Sequence, residues 1–257
     1  MYLYSFSKYN GPHRIYTTTY PYPLQSGDLI HADQWYFLVL GEEISRPTLH
    51  TQVIVLESPQ LLVVGFLSTR AIQLIHWMVY TYYTSYKSIV PLWVDDVEYL
   101  LKKSPTTIIP QDLTDDIKIT PTKSTKKLPV SQSDSLILQD HKLVHSGSLV
   151  PWSQLIVVPD VWTIHNIITR PPSLYPIATS ASTALQWSKL RQWAQSGQLS
   201  TLIATPSQIF WDWKDIQQIL IVDHHKRYYK NQQNPRYDTV EVCEKIAHVR
   251  WCTCIKV

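Results

Sequence analysis

The sequence predicts an α/β half built on a mainly parallel sheet, preceded by a small β-rich domain that ends in a helix. Three observations carry this. Residues 1 to 67 hold short β-branched and aromatic runs separated by turns, the pattern of small barrels and sandwiches. Residues 133 to 257 alternate apolar strand-length runs with helix-length stretches, as a parallel sheet covered by helices does. Between them, residues 104 to 132 lose hydrophobicity and gain Pro105, Pro110, Pro121 and Pro129 among Thr, Ser, Asp and Lys, a flexible-linker composition. The expected organisation is a β-rich domain over 1 to 103, a linker over 104 to 132 and an α/β domain over 133 to 257.

In the first domain, Tyr2, Tyr4 and Phe6 alternate with Leu3, Ser5 and Ser7, and Arg14 to Tyr20 is β-branched and aromatic. Both read as strands. Pro21 and Pro23 end the second or confine it to an edge, and Gln25-Ser26-Gly27-Asp28 is a turn. Trp35 to Leu40 and Thr51 to Leu56 are further strands, broken by Gly41-Glu42-Glu43 and Ser58-Pro59. Residues 68 to 83 read as a helix capped by Ser68 or Thr69. Its residues Ile72, Ile75, Met78, Val79 and Tyr82 fall at helical spacing. That stripe, joined by Trp77, Tyr80 and Tyr83, reads as core in preference to a ligand site.

In the second half, Leu136-Ile137-Leu138, Leu155 to Val158, Leu202 to Ala204 and Ile219 to Val222 read as strands. Asp160 to Thr169 and Ser182 to Ser196 read as helices, the second stopped by Gly197. Ile219-Leu220-Ile221-Val222 is wholly apolar, as in a strand buried on both faces, and Asp223 stands at its carboxyl end. Ligands of open α/β sheets bind beyond such ends. There the chain changes character: His224 to Tyr237 holds four Lys or Arg, two His, three Tyr and no acid.

Single-stranded nucleic acid needs cations for its phosphates and aromatic faces for its bases. Lys226, Arg227, Tyr228, Tyr229, Lys230, Arg236 and Tyr237 supply both in one segment; Tyr9, His13, Arg14 and Tyr16 supply them less densely. The competing reading is a solvated loop with buried tyrosines.

Composition limits the alternatives. With a net charge of +3 and 17% charged residues, a nucleic-acid role has to rest on local clusters. Six glycines leave few places for a phosphate-cradling loop. The three cysteines, Cys243, Cys252 and Cys254, are an odd set near one end and not a disulfide framework. Cys252-Thr253-Cys254 lacks the second pair that a zinc site needs. Asp223-His224-His225 raises a metal site, but neighbours on one loop rarely converge on an ion, so no metal is expected. The chain starts without a secretory leader pattern. No apolar run reaches the ~20 residues that span a bilayer, and the expected location is the cytoplasm.

The residues around the acid-ended strand resemble the primosomal replication-restart helicases, the PriA or primosomal protein N′ family of superfamily 2. That family has a G-T-R-S-A-[IL]-F turn, a strand ending in D-E-E-H, and a segment close to S-Y-K-Q-x-x-x-P-R-Y. The counterparts are Ala204-Thr205-Pro206-Ser207-Gln208-Ile209-Phe210, then Ile221-Val222-Asp223-His224-His225-Lys226, then Tyr229-Lys230-Asn231-Gln232-Gln233-Asn234-Pro235-Arg236-Tyr237. Val157-Val158-Pro159-Asp160 is similar to the family's L-V-P-E, and Trp187 to Gly197, running into Leu202, to its W-x-x-x-x-x-G-x-x-x-[IV]-V segment. His76 to Tyr83 is similar to its R-W-[IM]-A-x-Y-Y helix, with Ile89 to Trp93 and Val97 to Leu101 in the place of the apolar segment that follows.

The resemblance implies a β-barrel-like N-terminal DNA-binding domain and a reduced RecA-like first motor lobe. It also implies departures. The family uses ATP, magnesium and zinc. Its phosphate loop follows the strand matching Leu136 to Gln139, where this chain has no G-x-x-x-x-G-K-[ST]. Asp223 survives, but His224 and His225 replace the two Glu and Lys226 the His, so the water-positioning carboxylate is gone. The second lobe and the zinc cysteines have no counterpart, and the short linker leaves no room for the family's winged-helix domain. The family's 3′-end pocket matches the neighbourhood of Tyr16-Thr17 and His50-Thr51-Gln52, without its Asp and Lys. The expectation is an inactive relative that binds single-stranded or forked DNA and uses no cofactor. Its site would comprise Lys226, Arg227, Tyr229, Lys230, Arg236 and Tyr237, with Arg14 and Tyr16. The alternative is a protein-interaction module docking on other primosome proteins.

Overall fold

A computed structural model describes residues 2–6, 14–18, 23–32, 35–41, 52–56, 59–94, 136–139, 142–145, 153–167 and 176–257. The chain divides into two units, Met1–Asp115 and Asp116–Val257. The expected linker 104–132 and the apolar run 97–101 lie outside the described residues.

Among its described residues, the first unit is a six-stranded sheet with two helices. Its strands are β1 (Tyr2–Ser5), β2 (Arg14–Thr18), β3 (Leu29–Ala32), β4 (Trp35–Gly41), β5 (Gln52–Leu56) and β6 (Gln60–Val63). They lie in the order β5-β2-β1-β4-β3-β6, antiparallel throughout except for the parallel pair β2 and β5. Strands β3 and β6 are additions to the sequence reading: Leu29-Ile30 is hidden behind the turn signal and Gln60–Val63 behind Ser58-Pro59. Gly27 makes that turn at φ +98, where a Cβ would lie 1.9 Å from the Leu67 carbonyl oxygen. Asp28 fixes it from the inside, its buried carboxylate accepting from the Gln25 and Gly65 amides at 2.8 Å each. Leu3, Leu24, Ile30, Ala32, Phe37, Val39 and Leu56 form the core against Trp35.

Helix α1 (Thr69–Thr81) is capped by Ser68, whose hydroxyl accepts from the Ala71 amide at 3.2 Å. Its buried face is Ala71, Ile72, Leu74, Ile75 and Met78. The expected stripe is thus rotated toward Leu74. Tyr80 and Tyr83, expected in the core, are 74% and 94% exposed. Helix α2 (Tyr86–Trp93) forms where the sequence shows only an apolar segment, with Pro91 inside it. His76 ties the helices to the sheet: one ring nitrogen lies 2.7 Å from the Tyr86 hydroxyl and the other 2.9 Å from the Leu40 carbonyl.

The second unit departs from expectation at its first strand. Leu136–Gln139 (β7), expected as a strand of the parallel layer, pairs antiparallel with β8 (Lys142–His145) as a separate two-stranded sheet, Gln139 opposite Lys142. Leu136 to Leu138 and Leu143-Val144 give each arm of the hairpin a short apolar run, so they satisfy one another's backbone groups.

The parallel sheet consists of β9 (Ser153–Val157), β10 (Ile177–Ala178), β11 (Thr201–Ala204), β12 (Ile216–Ile221) and β15 (Thr253–Lys256). Every pairing is parallel and the order is β10-β11-β9-β12-β15. Buried runs, Gln154 to Val158, Thr201 to Ala204 and Ile219 to Val222, mark strands covered on both faces. Helix α3 (Val161–Ile167) starts at Asp160, whose carboxylate accepts from the Thr163 amide at 2.8 Å. Helix α4 (Ala184–Ser196) opens with a Thr183–Gln186 capping box and closes on Gly197 at φ +75. Strands β13 (Lys230–Asn231) and β14 (Tyr237–Asp238) make a small antiparallel hairpin, and helix α5 (Thr239–Arg250) leads into β15.

Helix α5 and strand β15 are also additions to the sequence reading. Their signal is present: Asp238 stands three residues before Glu241, an N-cap pattern, and the Asp238 carboxylate accepts from the Val240 amide at 2.9 Å. Among the described residues, no helix is long and apolar enough to cross a membrane.

Candidate functional site

The sheet order places a topological switch between β9 and β12. From β9 the chain leaves toward β10 on one side; from β12 it leaves toward β15 on the other. The crevice between such strands, beyond their carboxyl ends, is where open sheets bind ligands. Here it is filled. The chain turns sharply at Asp223, which adopts φ 51, a left-handed conformation that Asp tolerates better than most side chains. A single 3₁₀ turn, Arg227–Tyr229, then drives Tyr229 inward. Tyr229 is 1% exposed. Its hydroxyl sits between the carbonyl oxygens that end the two strands, 2.6 Å from Val222 and 3.1 Å from Val157, sharing its one proton between them. Burial pushes its phenol far above the ordinary range, reinforced by Cys243, Asp223 and Asp160.

The segment expected to bind DNA is therefore split by burial. Tyr229 and Tyr237 are core residues, not stacking platforms. Tyr237 is 5% exposed, packed edge-on against Phe210 at 5.4 Å, and burial raises its phenol as well. Tyr228 is 56% exposed. Lys226, Arg227, Lys230 and Arg236 are exposed. Lys226 faces Asp223, Nζ to Oδ2 at 3.8 Å, so its charge is partly answered from within.

A cleft of about 550 Å³ opens beside the filled crevice. Pro159 comes from the end of β9, Pro206 and Ser207 from the end of β11, and Arg227, Tyr228, Lys230, Asn231, Gln232 and Gln233 from the excursion after β12; Tyr237 and Thr239 complete it. Two cations and no carboxylate line it among the described residues. The Arg227 guanidinium lies 5.9 Å from the centre of the Tyr228 ring. The Asn231 side chain is committed to the fold: its amide donates to the Pro235 carbonyl at 2.9 Å and its oxygen accepts from the Gln233 amide at 3.1 Å. The structure thus brings together Arg227, Lys230 and Tyr237 of the expected site, with Tyr228 beside them, and leaves Lys226, Tyr229 and Arg236 outside the cleft wall. Phe210 packs against Tyr237 of the excursion, and the neighbouring Trp211 stacks on Trp187 at 5.0 Å.

Arg14 and Tyr16 belong to the first unit, on β2. Arg14 pairs in register with Gln52 and Tyr16 with Ile54, so Tyr16-Thr17 and Gln52, from the two stretches matched to a 3′-end pocket, lie on adjacent parallel strands. His50 and Thr51 lie outside the described residues, as do Tyr9 and His13.

His224 and His225 are exposed, their rings 5.8 Å apart. No group of three or more His, Cys, Asp or Glu converges as metal ligands would, among the described residues. Cys243 is buried, and Cys252 and Cys254 are partly so, all three with free thiols. Burial raises Cys252 and Cys254 to about 11 each.

Of the cleft residues, Pro159, Pro206 and Ser207 are legible as turns after apolar strands. Thr239 has no signal apart from the cap of α5. In comparison with known proteins, no family model and no curated sequence matches this chain.

Proposed function

We propose that this chain is a DNA-binding protein akin to the primosomal replication-restart helicases, engaging single-stranded or forked DNA without hydrolysing ATP. The observation that carries the reading is the acid-free cleft at the carboxyl edge of the parallel sheet, with Arg227 and Lys230 on its wall and the exposed Tyr228 ring beside them. Cations bind phosphates by releasing counterions, and an aromatic face stacks any base. In this reading the first unit is the barrel-like DNA-binding domain and the second a reduced RecA-like lobe. Two features support a lobe without turnover. The β7–β8 hairpin doubles back where a strand would lead into a phosphate loop, and the Tyr229 hydroxyl occupies the crevice between β9 and β12.

The test is binding of a labelled fork against a protein of similar size and charge as control. Tighter, salt-sensitive binding by this chain supports the reading; binding no tighter than the control ends it. A second reading is a docking module for another replication protein. The exposed rings favour it: Tyr80, Tyr83, Trp162 (80%) and Trp251 (86%). Gel filtration with primosome components separates the two, since a docking module co-elutes without DNA.

A further inference from the structure

Thr239 is the first residue of α5 and has no exposed surface, yet it lines the cleft. Its hydroxyl has no hydrogen-bond partner among the described residues. A buried hydroxyl left unpaired is costly, and such groups point to a missing ligand or water. The α5 amide end does not answer it: the Asp238 carboxylate accepts from the Val240 amide, and Asp238 does not line the cleft. The same cleft carries two cations and no acid among the described residues.

We propose that Thr239, Arg227 and Lys230 form a fixed phosphate-group subsite. The Thr239 hydroxyl donates to one phosphate oxygen while the guanidinium and ammonium groups neutralise the others, as charge-assisted hydrogen bonds do. The inference rests on the DNA-binding reading for the source of the phosphate, a backbone phosphodiester. Inorganic pyrophosphate presents the same chemistry free in solution.

The test uses the full chain as wild type, Thr239→Val and Thr239→Ser. The probes are fluorescein-labelled oligo(dT), read by anisotropy, and pyrophosphate, read by calorimetry. Thr239→Val keeps the shape and removes the donor. It is expected to weaken oligo(dT) binding by about tenfold, the scale of one hydrogen bond to a charged group. Because the change is neutral, the slope of affinity against salt stays as in wild type. Thr239→Ser restores binding. The melting temperature of Thr239→Val should equal or exceed that of wild type, since an unpaired buried group is removed. Wild-type oligo(dT) affinity in Thr239→Val overturns the subsite while leaving DNA binding intact. Pyrophosphate binding that needs Thr239, without oligo(dT) binding, keeps the subsite and removes DNA as its source. Binding of neither probe by the wild type overturns both.

Discussion

At the scale of the residue, Tyr229 does more than its neighbours. A single hydroxyl closes two strand ends, and its backbone sets Arg227 and Lys230 on either side of it. Tyr229→Phe removes the hydroxyl donor from the Val222 carbonyl, while the Val157 carbonyl keeps the Val222 amide at 2.9 Å, and about 1–3 kcal/mol of stability should be lost. Urea unfolding followed by tryptophan fluorescence measures this; an unchanged midpoint would mean that ring packing alone holds the excursion.

The cysteines give a pH signature in the same unit. Cys252 and Cys254 have folded values raised from 9.0 to about 11 by burial. The folded state therefore holds protons that the unfolded state releases in this window. Stability from these thiols is complete below pH 9 and falls as pH rises toward about 11. Urea midpoints measured across that window should decline, and the Cys252→Ser/Cys254→Ser variant should decline less. Equal slopes would show that other groups dominate.

At the scale of the element, a buried joint ties helix α5 to the segment before β12. Arg250, at the end of α5, is buried against Asp212, guanidinium to carboxylate at 2.5 Å, and also donates to the Trp213 carbonyl. This fastens α5 to the Trp-rich segment before β12. Asp212→Ala leaves the guanidinium buried without its carboxylate, at an expected cost of about 3–5 kcal/mol. A drop under ~1 kcal/mol in chemical denaturation, within the range of an exposed pair, would mean that water reaches Arg250. Thr183→Ala removes the α4 capping box for about 1 kcal/mol, with the loss read in the same experiment.

Elements with strong local signals are legible in the sequence: the Gly197 stop of α4, the Ser68 cap of α1, the apolar core of β12. Those set by pairing are not. Nothing local tells that Leu136–Gln139 joins Lys142–His145 instead of the parallel sheet, because an apolar run fits either partner. Helix α5 is legible as well, since Val242, Cys243, Ile246 and Ala247 fall at helical spacing behind the Asp238 cap, although the sequence reading leaves them unassigned.

At the scale of the whole molecule, the sequence separates a β-rich unit from an α/β unit, and it places the change of chemistry after Asp223. It does not distinguish tyrosines that hold the fold from one that faces solvent. Burial decides that, and Tyr228, Tyr229 and Tyr237 look alike as letters. The chain's net charge of +3 is too small to steer a polyanion by itself. In the proposed reading, recognition rests on Arg227 and Lys230, which no carboxylate among the described cleft residues opposes.

The most direct measurement is the salt dependence of fork binding for wild type, Lys226→Ala and Arg227→Ala/Lys230→Ala. Removing one cation from a phosphate lowers the slope of log affinity against log salt by about one. The double variant is expected to lose about two units of slope, with most of the affinity. Lys226→Ala should stay near wild type because Asp223 already faces that lysine. A double variant with the wild-type slope and affinity would contradict this reading, and would move the DNA site away from the carboxyl edge of the parallel sheet.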